Sequence, residues 1–321
     1  MNTQAASAAM PMSYLHTAGP AADPVTRLGW GLGLVSVAVV LIISALLLAA
    51  VFRRRAGSAA PPDPSRQGEG MRWIYIGVSI SSVVLLACAI WTLVTLTAVA
   101  RPATTPAFTV RVTGLQWWWR LRYENANPGQ TFSTANELHV PVGQPVRLEL
   151  ESADVIHSFW VPQLAGKTDM IPGQTNVSWI QADRAGDYRG QCGEYCGAQH
   201  AHMALHVVAQ EPAAFAAWWR GQLGAAAPTL PGAAGGAALV LDRCSACHTI
   251  RGTSAGGLVG PELTHLMSRA TIAGGTLPND ASHLADWIAH TQRIKPGTTM
   301  PEFALTEAQM RDVIAYLSTL R

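Results

Sequence analysis

Two long apolar stretches stand out in the first hundred residues of the chain. Residues 28–52 and 73–99 contain no charged side chain, and at about 1.5 Å per residue each exceeds the ~30 Å hydrocarbon core of a bilayer. Arginines cluster in the intervening segment, 53–72, which the positive-inside rule assigns to the cytoplasm. The pattern predicts a transmembrane helical hairpin over 27–100, preceded by an external segment, 1–26, without the pattern of a signal peptide.

The next part of the chain, 101–220, shows the alternation of apolar and polar residues that is typical of β-strands. Residues 108–112 and 146–151 alternate clearly, and Gly, Pro and Asn separate such runs, as at 127–129. Short alternating strands with these turns predict a Greek-key β-sandwich. An all-β domain is therefore expected behind the hairpin, on the external side.

Helical periodicity returns near the C-terminus after a break. Residues 221–236 are mostly small residues and prolines, which predicts a flexible linker spanning roughly 20–25 Å, long enough for the last domain to swing away. Apolar residues then recur at helical spacing in 282–290 and 306–320, and 237–243 is a further short helix. We expect an all-α domain over 237–321.

Composition narrows the range of partners. Of the 321 residues, 49% are hydrophobic and 13% are charged, with a net charge of +2, which fits a membrane protein and argues against a nucleic-acid partner. Four of the five cysteines form two close pairs beside histidines, which indicates cofactor binding rather than a disulfide framework. The fifth, Cys88, lies in an apolar stretch and is expected to be a buried small side chain.

The first cysteine pair belongs to a cluster of soft metal ligands. Cys192 and Cys196 are followed by His200 and Met203, and another histidine, His157, lies upstream. Sulfur donors combined with imidazoles suit copper, and two cysteines on one loop can bridge two copper ions. The alternative is a tetrahedral zinc site formed by both cysteines and both histidines, which leaves the methionine without a role.

This loop resembles the binuclear CuA centre of cytochrome c oxidase subunit II, whose pattern is C-x-E-x-C-x-x-x-H-x-x-M, and the resemblance extends over about 28–220. It implies a cupredoxin-like fold for the β-domain. It also implies that two copper ions are held by six residues: His157, Cys192, Glu194 through its backbone carbonyl, Cys196, His200 and Met203. The Glu194 side chain would point toward a magnesium ion shared with subunit I. His202, at a variable position of the pattern, is expected to be an ordinary supporting or surface histidine.

A run of three tryptophans, 117–119, lies in the β-domain. On a strand, the first and third would face one way and the second the other, which by itself indicates packing in the core or at an interface. The resemblance implies a further role for Trp117, that of an exposed side chain near the copper that passes electrons inward. Glu69 and Trp73, by contrast, depart from the family pattern E-x-x-W-T, so that a role for Glu69 at a proton channel of subunit I stays open.

The second cysteine pair carries the signature of covalently bound haem. Cys244, Cys247 and His248 form the sequence C-x-x-C-H, in which the thiols bond to the haem vinyl groups and the histidine binds the iron. Met300, in a loop rich in Pro and Gly, is the favoured sixth ligand, and Met267 is the competing one.

The last domain resembles class I cytochrome c, whose G-P-x-L and M-P-x-F sequences match 260–263 and 300–303. This resemblance supports Met300 as the axial methionine. Three further histidines are expected at the surface, with ligation of the iron by two histidines as the alternative: His265, His283 and His290.

Together these resemblances imply subunit II of a caa-type haem–copper oxidase in a bacterial plasma membrane, with a cytochrome c fused to its C-terminus. Electrons would pass from an external donor, such as a cytochrome c or a bc-type complex, to haem c, to CuA and to haem a of subunit I. That partner, within membrane lipid and beside the other oxidase subunits, would reduce oxygen to water and translocate protons. The alternatives are a CuA-bearing subunit of a nitric oxide reductase and a free-standing electron carrier or copper sensor.

Overall fold

The computed structural model describes residues 12–53 and 67–321, except for the side chains of 67–69. Arg54, Arg55 and the side chain of Glu69, which bear on the predicted cytoplasmic loop and the proton channel, lie outside the described residues. The described chain forms two units. One is a helical hairpin within 23–101, and the other combines 12–22 with 102–321.

Two long apolar helices form the first unit. They are α1, Asp23–Phe52, and α2, Gln67–Val99. Both start several residues before the stretches predicted from the sequence, and α1 opens with Asp23 followed by a proline, which favours a helix N-terminus. Both helices are long and apolar enough to cross a membrane. Cys88, expected to be buried, is only half-buried on α2, because two helices have too little surface to enclose it.

Ten strands in the second unit form two five-stranded sheets. The strands are β1 Thr109–Leu115, β2 Trp118–Glu124, β3 Phe132–Ala135, β4 Glu137–Pro141, β5 Val146–Ser152, β6 His157–Trp160, β7 Thr168–Met170, β8 Asn176–Ile180, β9 Gly186–Cys192 and β10 Ala204–Gln210. One sheet has the order β3-β2-β1-β5-β8 and the other β4-β10-β9-β6-β7. The pairs β1–β5 and β4–β10 are parallel, and the other neighbours are antiparallel.

Alternating burial along the strands builds the core between the sheets. In β1, Val110 and Val112 are fully buried while the residues between and beside them are partly exposed, as the two-residue period of a strand requires. The predicted β-sandwich is confirmed. Residues 12–22 also belong to this unit, since Ala18 is buried and its amide donates to the carbonyl of Gln163 at 2.8 Å.

The predicted linker is shorter in the structure. Helix α3 extends over Pro212–Leu223, and α4, the first helix of the last domain, covers Ala234–Arg243. Only 224–233 separate these two helices, and this stretch contacts the last domain, since the Ala226 amide donates to the Arg251 carbonyl at 2.9 Å. In the structure the first helix of the last domain therefore begins at Ala234 rather than at residue 237, and the connection before it is bonded to the last domain.

The last domain is built mainly of helices, as predicted. Beside α4 it contains α5 Ala281–Ala289, α6 Thr291–Ile294 and α7 Glu307–Leu317, together with a small hairpin of β11 Thr271–Ile272 and β12 Leu277–Pro278. Helix α7 begins with a capping box in which the side chains of Thr306 and Gln309 each bond to the other's backbone. Apart from this small hairpin, the helical domain expected from the sequence is confirmed.

Gly236 was counted in the linker because of its small size, but it lies within helix α4. Helices α4 and α7 pack closely at this glycine, where an added β-carbon would lie 1.9 Å from the carbonyl oxygen of Asp312. The preceding residue, Gly235, has room, because its nearest neighbour would be a side-chain oxygen of Asp312 at 3.7 Å. A glycine that looks like part of a linker is therefore required by helix packing.

We expect Gly236→Ala to destabilise the last domain by about 1–3 kcal/mol, because the new methyl group forces α4 away from α7. Gly235→Ala is the matched control and should be neutral or stabilising, since alanine is the better helix former by up to about 1 kcal/mol. Hydrogen–deuterium exchange over both helices in the full chain measures the difference. Equal protection in the two variants would show that the helix contact tolerates a side chain.

Candidate functional site

The predicted sulfur and imidazole ligands come together in the structure. Cys192 ends β9, His157 begins β6, and Met203 immediately precedes β10. The loop 193–202 connects Cys192 to Met203 and brings them side by side, so that the Cys192 amide donates to the Met203 carbonyl at 3.0 Å. Ligands anchored on three strands are held more rigidly than ligands on a free loop.

Cys192 and His157 form one half of the cluster. Cys192 Sγ lies 3.9 Å from His157 Nδ1 and 3.2 Å from the backbone oxygen of Glu194. The other ring nitrogen, Nε2, lies 2.7 Å from Oδ1 of Asp154. The second oxygen of this carboxylate, Oδ2, accepts a hydrogen bond from the Gln116 amide at 2.7 Å. Asp154 thus fixes the ring with Nδ1 toward the sulfur. Sequence reasoning missed this residue, although an acid three positions before a candidate ligand is a usable signal.

Cys196, His200 and Met203 form the other half. Cys196 Sγ lies 3.5 Å from His200 Nδ1 and 3.8 Å from Met203 Sδ, so that the methionine is part of the cluster, which a tetrahedral zinc site would not require. The ligand atoms of His157, Cys192 and Cys196 lie within 4.8 Å of one another. Two thiols, each beside its own imidazole and one also beside a thioether, are a donor set that would hold copper.

The two thiols are strongly coupled. A hydrogen bond from Cys196, helped by His157, lowers the pKa of Cys192 far below its ordinary value, and the resulting thiolate raises the pKa of Cys196. Against the effect of burial, hydrogen bonds to Cys192 and Asp154 raise the pKa of His157. The first thiol therefore loses its proton readily, and the positive charge of bound metal is needed to remove the second.

The Glu194 side chain, expected to face a magnesium ion, is paired with a lysine. Its Oε2 lies 3.0 Å from Lys167 Nζ, which is also 3.4 Å from Asp169. The hydrogen bond to Glu194 raises the pKa of Lys167. Both members of the pair are partly exposed, and an ion bound at Glu194 would have to displace the lysine.

An apolar cavity carries the predicted haem-binding residues on its wall. Cys244, Cys247 and His248 all line it. His248 Nδ1 donates to the Pro261 carbonyl at 2.7 Å, which leaves Nε2 for an iron, and burial lowers the pKa of His248, which favours the neutral ring. Gly260 allows this arrangement, because an added β-carbon would lie 2.5 Å from the ring. The residues present fit a covalently bound haem.

Met300 lines the same cavity, whereas Met267 does not. The Met300 carbonyl accepts hydrogen bonds of 3.1 Å from the side chains of Thr291 and Gln292, which hold its loop in place. Met267 instead donates its amide to the Leu320 carbonyl at 2.8 Å and packs beside the core of the helices. Of the two candidate methionines, Met300 is the one placed to reach a group in the cavity.

The three further histidines follow the sequence prediction except in one case. His290 is exposed and His283 is half-exposed. His265, expected at the surface, is only 6% exposed, and its ring lies 2.8 Å from the carbonyl oxygen of Arg321 and 3.2 Å from that of Gly224. Since none of the three lines the cavity, the geometry does not favour ligation by two histidines. The His265 ring instead bridges Gly224, in the connection after α3, and Arg321.

Trp117 lies between the two sites. It occupies the turn between β1 and β2, its indole nitrogen donates to the Cys196 carbonyl at 2.9 Å, and its ring also lines the cavity. Its position beside the predicted copper loop agrees with the sequence expectation. Its exposure does not, because only 7% of Trp117 is exposed and Gly297 of the last domain packs against the ring.

The β-sandwich and the last domain share a buried polar interface. Glu137 on β4 is only 3% exposed, and its carboxylate accepts the amides of Ala270 and Thr271 at 2.5 and 3.2 Å. The Ala204 amide donates to the Gly274 carbonyl at 3.0 Å. Because these buried hydrogen bonds cross the interface, they favour one fixed arrangement of the two domains.

Two family models match this chain. Residues 127–210 match the family described as cytochrome C oxidase subunit II, periplasmic domain, and residues 233–321 match the family described as cytochrome c. The first match includes the sulfur and imidazole cluster, and the second includes the haem-binding signature.

Two similar bacterial proteins both have the name cytochrome c oxidase subunit 2. Cytochrome c oxidase subunit 2 of Alkalihalophilus pseudofirmus is 38% identical over 215 residues, covering 66% of this chain and 61% of the relative. The protein of the same name from a Bacillus species is 31% identical over 225 residues, covering 66% and 62%. This chain thus spans about three fifths of the length of these relatives. The crystal structure of the periplasmic domain of subunit II of cytochrome oxidase from Bradyrhizobium japonicum is 32% identical, covers 38% of this chain and 96% of its own, and has a TM-score of 0.35.

Replacing Cys196 with serine should abolish a copper pair, because a hydroxyl is a poor copper ligand and cannot replace a bridging thiolate. Metal analysis and electron paramagnetic resonance should show two copper ions and one electron shared between them in the unaltered chain, and neither in the variant. Haem absorption should remain. Cys88→Ser is the matched control and should keep both signals. A single zinc ion per chain would contradict the assignment.

Met300→Ala should leave haem attached through Cys244 and Cys247 but remove the methionine–iron absorption band and lower the haem potential. Met267→Ala is the matched control and should change neither property, because its side chain lies outside the cavity. Redox titration and optical spectra of the two variants distinguish the ligands. The opposite pattern would assign the iron to Met267.

Proposed function

We propose that this chain is the electron-input subunit of a haem–copper oxidase, because residues 127–210 match the cytochrome c oxidase subunit II periplasmic domain and residues 233–321 match cytochrome c. It passes electrons from haem c to a binuclear copper centre and on to haem a of subunit I, where oxygen is reduced to water and protons are translocated. One observation carries this proposal: the copper ligands and the haem cavity belong to one unit, and Trp117 contacts both.

The chain's own residues hold the two redox groups in fixed surroundings. The bound groups supply one-electron chemistry, and the protein supplies orientation and electrostatics. Asp154 orients His157 at one centre, and the Pro261 carbonyl orients a neutral His248 at the other. Ligands fixed in this way move little when the charge of the centre changes, which favours rapid electron transfer.

Trp117 is proposed to connect these two centres. Its indole nitrogen bonds to the carbonyl of Cys196, one of the proposed copper ligands, and its ring forms part of the haem cavity. Because the last domain covers this ring, Trp117 receives electrons from haem c rather than from an external protein. An external donor, such as a cytochrome c or a bc-type complex, then reduces haem c.

The helical hairpin anchors the subunit in a bacterial plasma membrane, among lipid and the other oxidase subunits. Residues 12–22 pack on the β-sandwich, which supports placing the N-terminus on the same outer side as the two redox domains. The arginines near 53 support a cytoplasmic connection between the helices. Glu194 faces subunit I through a magnesium ion in this proposal, once Lys167 has moved away.

The assembled oxidase should turn over with a small-molecule reductant and no added soluble cytochrome c, because the fused domain makes donor binding intramolecular. Changing Cys244 and Cys247 to Ala should lower oxygen consumption by about tenfold or more, since the effective concentration of the donor is lost. The copper signal should remain, and Cys88→Ala serves as the control.

An unchanged rate in the variant without haem would mean that electrons reach the copper directly. Consumption of nitric oxide in place of oxygen by the unaltered complex would support the nitric oxide reductase alternative. Both outcomes are read from the same preparation with gas-selective electrodes.

A further inference from the structure

Lys295 is a charged residue buried at the boundary between the two redox domains. It is one of only two lysines among the 22 basic residues of the chain, and it is 2% exposed. Its Nζ donates to the carbonyl oxygens of Trp117 and His202 at 2.8 Å and of Ala273 at 2.7 Å. The three protons of the ammonium group are therefore matched by three acceptors.

Two of these three acceptors belong to the β-sandwich. The Trp117 carbonyl adjoins the indole that bonds to the copper loop, and the His202 carbonyl lies within that loop, one residue before Met203. Only Ala273 belongs to the same domain as Lys295. If the domains separated, the ammonium would lose two of its partners, so that this arrangement forms only in the docked state.

The segment that carries Lys295 also leads to the haem. Met300 follows five positions later, and Lys295 itself lines the haem cavity. Next to the lysine, the Pro296 carbonyl accepts the side-chain amide of Gln199, from the copper loop, at 3.0 Å. The loops that carry the proposed ligands of both centres therefore meet around one ammonium group.

Burial of a charge is unfavourable unless hydrogen bonds compensate for it. Burial lowers the pKa of Lys295 to about 7, while its three carbonyl partners favour the charged form. An apolar side chain of similar length would leave the carbonyl groups of Trp117 and His202 without this donor, whereas the Ala273 carbonyl would keep its bond from the Thr276 hydroxyl at 2.7 Å. Such an interface would admit water or open, since buried unpaired carbonyls are costly.

We propose that Lys295 is a positioning residue for electron transfer from haem c to the copper pair, acting by holding Trp117 and the copper loop in fixed contact with the haem-bearing loop. The inference rests on the proposed function and deepens it. The transfer moves one electron from a ferrous haem to the copper pair, and no covalent bond forms or breaks. No proton needs to move, because the lysine keeps its three hydrogen bonds throughout.

Lys295→Met in the assembled oxidase tests this role. After photoreduction of haem c by a ruthenium complex, the single-turnover rate of electron transfer to copper should fall by about tenfold or more, because a smaller fraction of molecules is correctly docked. The haem potential and the shared-electron copper signal should stay unchanged, since no ligand is altered. An unchanged transfer rate in the variant overturns the inference.

Arg293→Met is the matched control. It removes a positive charge two positions away whose only ion pair in the described structure is with Asp286, in the same domain. Its transfer rate should equal that of the unaltered protein. A loss as large as that of Lys295→Met would mean that general charge, rather than the carbonyl contacts, governs transfer, and would overturn the inference. Absence of transfer in the unaltered oxidase would instead refute the proposed function, and the inference with it.

Acetylation of the unaltered protein tests the same inference without a substitution, and so does not depend on whether Lys295→Met folds. Acetylation of the native oxidase, followed by mass spectrometry, compares the two lysines directly. Lys167 is about half exposed and should react readily, whereas Lys295 should react about a hundredfold more slowly, because it must wait for the interface to open. Equal rates would show that the docked arrangement is not maintained and would overturn the inference.

Discussion

The contact between the loop 193–202 and the last domain determines how the β-sandwich and the last domain are arranged. Trp117 bonds to the Cys196 carbonyl on one side and forms the wall of the haem cavity on the other. Its backbone carbonyl accepts Lys295, and Glu137 pairs with backbone amides of the last domain farther along the interface. The buried contacts of Lys295 and Glu137 cross the interface, so that both are lost if the domains shift. The position of the two sites relative to each other therefore depends on one docked geometry.

The cluster of sulfur and imidazole side chains could be predicted because most of it is local in the chain. Cys192, Cys196, His200 and Met203 lie within twelve residues, so that their spacing and the softness of their donors already limit the metal. His157 is distant in the sequence, where its imidazole made it a candidate, and the resemblance to a known family added it to the ligand set. Asp154 was missed although its spacing before His157 is a signal, because that spacing does not give the orientation of the ring, which the folded β-sandwich defines. The two hydrophobic helices and the alternating strands were likewise evident, since each depends on periodicity alone.

Features that depend on packing between distant segments could not be predicted. Gly236 has the composition of a linker residue but lies where two helices meet. His265 has no sequence pattern that distinguishes a buried ring from a surface one, and its partners are backbone carbonyls far along the chain. The same applies to Lys295, since carbonyl acceptors carry no sequence signature. Trp117 was placed correctly beside Cys196, but its exposure depends on Gly297 of the last domain, which packs against the ring and lies 180 positions away in the sequence.

In the proposed function the electron donor is covalently fused to its acceptor, and this changes which contacts their interface can contain. A soluble donor must leave after each electron, so that its complex benefits from small contacts and exposed charges that salt weakens. A fused donor does not have to leave, and the short connection after α3, held by Ala226 and His265 against the last domain, leaves little freedom to do so. Buried polar contacts then become useful, because they specify one orientation and are little affected by salt. Lys295 and Glu137 are contacts of this kind, because each is buried and bonded to backbone groups of the other domain. Such contacts suit a donor that stays bound.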